Sequence, residues 1–272
     1  MTQTRLVIVT NGVGRGGANA AAARLHKACL THGEQYGLES YLVAVRGRST
    51  ERRVQTGAPT VSPLEGLRRF GRTMLRRALR LGYRSLGGPY VFSSPNIFTG
   101  LGRKISSIKP DIVILNWLGD STISVDEILD LEAKVLVRTP DLWLRDAPFH
   151  YRLPSLEFTD KSEPLSTRIV QASIGPGAQK ERDKLLEQAT GLISPSRRTQ
   201  QLLQDLFPFQ RVATLPNPID VASVTEKSVL GEAIERNADG RFVIGFGGDS
   251  AVRDPRKGFS SLRQGLMLLA HA

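Results

Sequence analysis

The chain has 272 residues, 40% of them hydrophobic and 23% charged, a balance that excludes an intrinsically disordered protein and allows a packed core of normal size. Lysine and arginine number 37 against 26 acidic residues, a net charge of +11, which favours phosphorylated substrates, nucleic acid or an anionic membrane surface, with an arginine-rich coding bias as the plain alternative. The single cysteine, Cys29, excludes an internal disulfide framework. No run of about 18 apolar residues occurs, and the N-terminal MTQTRLVIVTNG is too briefly apolar for a signal peptide. The expectation is a cytosolic protein, able to sit peripherally at the inner membrane face.

Residues 5–10, RLVIVT, predict a buried parallel strand, followed by the glycine-rich turn Gly12-Val13-Gly14-Arg15-Gly16-Gly17. ANAAAARLHKACL then predicts a helix and YLVAV at 41–45 a second strand, which together make a βαβ unit of a doubly wound sheet. The stretch from Ser49 to Pro95 interrupts this rhythm. Its centre carries Arg68, Arg69, Arg72, Arg76, Arg77, Arg80 and Arg84, interleaved at helical spacing with Leu67, Phe70, Met74, Leu75, Leu79 and Leu81. That pattern predicts a basic amphipathic helix suited to anionic lipid.

The alternation resumes with DIVILNW at 111–117, a strand, and SVDEILDLE, a helix in which Ser124 and Glu127 have capping-box spacing. AKVLVRT at 133–139 is a strand cut off by Pro140, and the Pro-, Ser-, Thr- and Gly-rich residues 144–178 read as a long surface excursion. A helix over 179–189, the strand GLISPS, the helix SRRTQQLLQDLF and the strand and turn RVATLPNPID follow. RFVIGFGG at 241–248 predicts a fresh strand with its own glycine turn. The expected organisation is an N-terminal Rossmann-like domain over 1–220, a linker over 221–240 and the beginning of a second such domain over 241–272. One strand and one helix bury no core alone, so the second domain reads as incomplete.

The glycine turn between strand and helix either lets backbone approach a phosphate or supplies a tight turn at positive φ. Asp141 follows a strand, at the edge where open parallel sheets meet their ligands, and His150 joins it if the loop folds back; a cap and a loop residue are the bland alternatives. Leu215-Pro216-Asn217-Pro218 is a rigid turn. Lys257, in DPRKGF before a helix, either reaches a phosphate or is a solvated charge. The four histidines and one cysteine lack ligand spacing, and no metal or cofactor is expected.

In order along the chain, GRGGANAAAARLHKAC, DIVILNWLGDSTISVDEI, DLWLRDAPFHY, SPSR, LPNPID and DPRKGF resemble motifs of glycosyltransferase family 4, in the branch of colanic acid and other exopolysaccharide transferases. The resemblance implies a GT-B fold and transfer of a sugar, with retention, from a nucleotide-sugar donor to a glycan or lipid-linked acceptor. It implies donor-phosphate contacts at Gly16 and Gly17, neutralisation of the leaving diphosphate by Lys257, and Asp141 and His150 in the catalytic cleft. Arg68, Arg69, Arg72, Arg76, Arg77 and Arg80 would then meet an anionic membrane, and nucleic acid is not an expected partner. The sequence departs from the family pattern at Pro140 and Asn116, where the family has histidines. It also ends before the paired glutamates of the donor site, so a non-catalytic homologue serving as a binding module is the second expectation.

Overall fold

A computed structural model describes residues 3–13, 16–57, 63–86, 90–93, 98–119, 122–151, 164–219, 221, 244–247, 252 and 257–270. The chain divides into two compact units, Met1–Pro218 and Ile219–Ala272. The first contains β1 (Thr4–Gly12), α1 (Gly17–His32), β2 (Leu38–Arg46), β3 (Val54–Thr56), α2 (Pro63–Ser85), α3 (Leu101–Ile108) and β4 (Ile112–Leu115). It continues with α4 (Val125–Leu129), β5 (Lys134–Arg138), α5 (Trp143–Asp146), α6 (Leu165–Gln188), β6 (Gly191–Ser194), α7 (Arg197–Leu206) and β7 (Val212–Thr214).

Among the described residues these seven strands pair in parallel, in the order β3-β2-β1-β4-β5-β6-β7. The α/β, Rossmann-like class follows from this sheet. Successive side chains of a strand point to opposite faces, and the apolar runs fill both. Val7, Val9, Val43, Val113, Leu115, Val135 and Val137 form one core with Leu101, Ile105, Ile128, Ala178 and Leu185 of the helices. Leu6, Ile8, Leu42, Ile114 and Ile193 face the other way, onto Ala22 and Leu25 of α1. The strand order turns back between β1 and β4, and in open α/β sheets the crevice at such a point, beyond the carboxyl ends, is where ligands bind.

Ser124 caps α4 and its hydroxyl accepts from the Glu127 N–H, while the Glu127 carboxylate accepts from the Ser124 N–H, so the capping box forms. The same carboxylate accepts from the backbone N–H of Thr99 at 2.8 Å and of Gly102 at 3.2 Å, which ties the start of α3 to α4.

Two expectations need correction. Residues 144–178 are not one surface excursion, because α5 occupies Trp143–Asp146 and α6 begins at Leu165. Pro176 lies inside α6 and removes one backbone donor, while Val170, Ala178 and Leu185 are buried and hold the helix against the body of the unit. Residues 152–163 lie outside the described residues. The strand expected over 111–117 stops at Leu115, since Asn116 and Trp117 have turned to polar partners. The strand and glycine turn expected over 241–248 lie largely outside the described residues, of which 244–247 carry no strand, and in the second unit α8 spans Phe259–Ala270.

Candidate functional site

The carboxyl edge of the sheet near the turn-back point is polar yet buried. Thr10, Asn11, Asn116, Arg138, Thr139 and Ser194 sit at strand ends with 6% exposure or less. Buried polar groups must find partners, and each of these residues has at least one. Thr10 Oγ1 donates to Asn19 Oδ1 at 2.9 Å, and the Gly12 N–H reaches the same oxygen at 3.3 Å. Asn19, in the first turn of α1, thus pins the glycine turn to β1. Gly16 has φ 97°, the left-handed region that favours glycine, while a Cβ at Gly17 would meet open space. Gly14 and Arg15 lie outside the described residues.

Asn116, fully buried, donates from Nδ2 to the Ala18 carbonyl at 2.7 Å and accepts from Arg138 Nη1 at 3.0 Å. Arg138 Nη2 donates to Asn217 Oδ1 at 2.5 Å and to the Leu215 carbonyl at 3.3 Å. A continuous chain of bonds therefore runs from the first turn of α1 to the Pro-Asn-Pro turn that ends the first unit. Arg138 is 2% exposed, has no carboxylate partner among the described residues, and its Nε is unbonded. Burial pushes its pKa down from the usual arginine value.

Asp141 and His150 are brought together. Asp141 Oδ2 accepts from His150 Nδ1 at 2.6 Å and from Trp117 Nε1 at 2.7 Å, and Oδ1 accepts from the Trp143 N–H at 3.0 Å. His150 is 1% exposed, and its Nε2 bonds Ser93 Oγ at 2.5 Å. The alternative of a solvent-facing loop histidine is thereby overturned. Backbone bonds from His150 N–H to the Val91 carbonyl and from Ser93 N–H to the Pro148 carbonyl fold the loop back onto the segment after α2. Both ring nitrogens and both carboxylate oxygens are engaged. What the cluster presents outward is the half-buried Trp117 ring, 5.3 Å from the imidazole centroid.

Trp117 forms one wall of a cleft of about 180 Å³, whose other linings include Arg80, Tyr83, Arg84, Tyr90 and Phe92. Arg80 departs from the expected membrane-facing role: it turns inward and donates to the Phe92 carbonyl at 3.2 Å. Arg77 is exposed, and the side chains of Arg68, Arg69, Arg72 and Arg76 lie outside the described residues. Leu67, Phe70, Leu75 and Leu81 of α2 are each more than 60% exposed. Lys257, in the second unit, is exposed, and Phe259 beside it packs on Phe246 with ring centroids 5.3 Å apart.

The pairing of Asp141 with His150 was legible from position; Trp117, Ser93, Arg138 and Arg84 were not. Trp117 and Arg138 carry a signal in hindsight, a large polar-tipped side chain at the carboxyl end of an apolar strand. Ser93 and Arg84 carry none. Among the described residues no helix is long and apolar enough to cross a membrane, and no three His, Cys or acidic side chains converge on one point.

No family model matches the chain, and no curated protein matches it. Among solved structures, a glycosyltransferase from Rickettsia africae ESF-5 is 12% identical over 88% of this chain and 49% of its own, with a TM-score of 0.41. An alpha-glucosyltransferase, solved in complex with UDP and a 13-mer DNA containing a HMU base, is 10% identical over 83% of this chain and 45% of its own, with a TM-score of 0.36. The chain spans about half the length of these structures.

Proposed function

We propose that the chain is the acceptor-side part, with the start of the donor-side part, of a GT-B glycosyltransferase of the family 4 type. The observation that carries this reading is the bonding of Asp141 to His150, both within the motif D-x-W…H-Y, and to Trp117 just after β4, at the carboxyl edge of a doubly wound parallel sheet beside the strand-order switch. The order of the remaining motifs along the chain supports it. In this reading the protein transfers a sugar, with retention, from a nucleotide-sugar to a glycan or lipid-linked acceptor in exopolysaccharide assembly. Gly16 and Gly17 face the donor phosphate, and Lys257 neutralises the charge that builds on the leaving diphosphate as the glycosidic bond breaks.

Asp141 and His150 act as positioning residues on the acceptor side. Their bonds are all internal to the protein, and their effect reaches the cleft through Trp117. The exposed leucines and Phe70 of α2, beside its arginines, suit the inner membrane face, each cation adding about 1 kcal/mol near anionic lipid.

The test, made on the enzyme with its donor-side part entire, is transfer of labelled sugar from a panel of UDP- and GDP-sugars to a phosphorylated glycan, with the product's anomeric configuration read by NMR. Lys257→Ala is expected to lower kcat by about 100-fold or more, as loss of an oxyanion-stabilising group does. Asp141→Ala is expected to raise the acceptor KM while leaving kcat comparatively intact. Transfer untouched by both substitutions sinks these assignments, and absence of transfer from every donor sinks the reading.

A further inference from the structure

We propose that the cleft between the C-terminal end of α2 and Trp117 is a subsite for a sugar bearing a phosphate or diphosphate. That this ligand is the acceptor rests on the glycosyl-transfer reading; the chemistry of the cleft does not.

Two guanidinium groups one helical turn apart, Arg80 and Arg84, line the same cleft. Like charges at this spacing weaken a helix, and a bound anion offsets that cost. Arg84 is exposed and makes no hydrogen bond or ion pair among the described residues, so its donors are available to a ligand. Guanidinium forks match phosphate oxygens in pairs, which favours a phosphate over a lone carboxylate where two of them converge.

Apart from Val91, the remaining walls are aromatic. Tyr83 and Phe92 are 4% and 2% exposed and meet edge to face at 5.2 Å. The Tyr83 hydroxyl accepts from the Tyr90 N–H at 3.1 Å and bonds Thr167 Oγ1 at 3.2 Å. Trp117 is held by Asp141 at its indole nitrogen, which leaves its ring, partly exposed, to the cleft. A rigid aromatic wall beside paired cations suits a ligand with a flat, partly apolar face next to an anion, as a pyranose phosphate has. Preorganisation of both walls lowers the cost of binding it.

The experiment uses the full chain and needs no donor and no turnover. α-Glucose 1-phosphate, inorganic diphosphate and methyl α-glucoside are titrated by calorimetry and by tryptophan fluorescence, in which Trp143, 8% exposed, is the only other emitter. The sugar phosphate is expected to bind saturably with a change in emission, and the uncharged glucoside at least about tenfold more weakly. Arg84→Ala, at an exposed position, is expected to weaken the sugar phosphate about tenfold, Arg84→Lys to recover part of that, and Trp117→Phe to remove the emission change.

Phosphatidylglycerol vesicles separate the sources of the phosphate. Competition between vesicles and glucose 1-phosphate, lost in Arg84→Ala, places the phosphate on a lipid. Vesicle binding that is lost in Leu75→Ser/Leu81→Ser while glucose 1-phosphate still binds places it on a free sugar. Failure of every phosphate probe to bind, or equal binding by Arg84→Ala, overturns the proposal. Binding without sugar transfer would leave this subsite standing and remove only the transferase reading. Transfer with an acceptor KM unchanged in Arg84→Ala would do the reverse.

Discussion

The middle of the sheet and its carboxyl rim are buried to the same degree and built on opposite terms. Val7, Val43, Val113 and Val135 belong to one buried apolar cluster, and their burial is non-directional and tolerant of how the chain gets there. Three or four residues further along the chain, at or just past the ends of these strands, stand Thr10, Asn11, Asn116, Arg138 and Thr139, almost as inaccessible, each committed to a named partner. The interior supplies stability; the rim spends desolvation to hold particular geometry, and it is the rim that adjoins the glycine turn, Asp141 and the aromatic cleft. Buried polar groups concentrated at one end of a sheet therefore mark the site more clearly than any single motif.

This contrast breaks most sharply at Leu115, the last core residue before the rim. Leu115→Ala should destabilise the first unit by about 2–5 kcal/mol, the cost of a fully buried leucine and its cavity, read by urea unfolding. A smaller effect, visible only in its pH dependence, is expected at His26. The ring is 1% exposed, with Nδ1 on Ser40 Oγ at 2.9 Å and Nε2 on the Arg52 carbonyl at 3.3 Å. Burial lowers its pKa below 6.5, partly countered by the Arg52 bond. The unfolded chain then takes up the proton at higher pH than the folded one. Its contribution is complete above about pH 6.5 and is lost as the pH falls below it. His26→Gln should flatten the unfolding midpoint against pH in that window, and an unchanged slope would show that His26 is not the group responsible.

The smallest effect is expected at Arg138, where a buried charge with no carboxylate partner among the described residues is replaced by a flexible hydrophobe. Arg138→Met should leave stability within about 1 kcal/mol, because relief of the buried charge offsets the cost of leaving Asn116 Oδ1 without its donor, while releasing Asn116 and Asn217 from each other. Destabilisation by several kcal/mol would mean instead that the arginine belongs energetically to the interior.

Much of this was legible in the sequence. The strands β1, β2, β4 and β5 announce themselves as β-branched runs, and the Ser124–Glu127 box is a local pattern that needs only one helix turn to form. The 24-residue α6 was misread because its first half is Ser-, Gly- and Pro-bearing, and a helix of such poor intrinsic propensity is held by burial of Val170, Ala178 and Leu185, which no local pattern encodes. The short β3 was invisible for the same reason, since three half-buried residues become a strand only by pairing with β2.

The site divides likewise. The sequence alone determined that Asp141 follows a strand, that His150 lies nine residues on, and that arginines and leucines alternate along α2. Only the tertiary structure decided that the imidazole closes onto Asp141, that Ser93 and Trp117 complete the cluster, and that Arg80 and Arg84 turn toward an aromatic wall. The reason is range. Hydrophobic period and capping act over one or two turns of chain, whereas each of these contacts joins segments that only the closed sheet brings within a hydrogen bond's length.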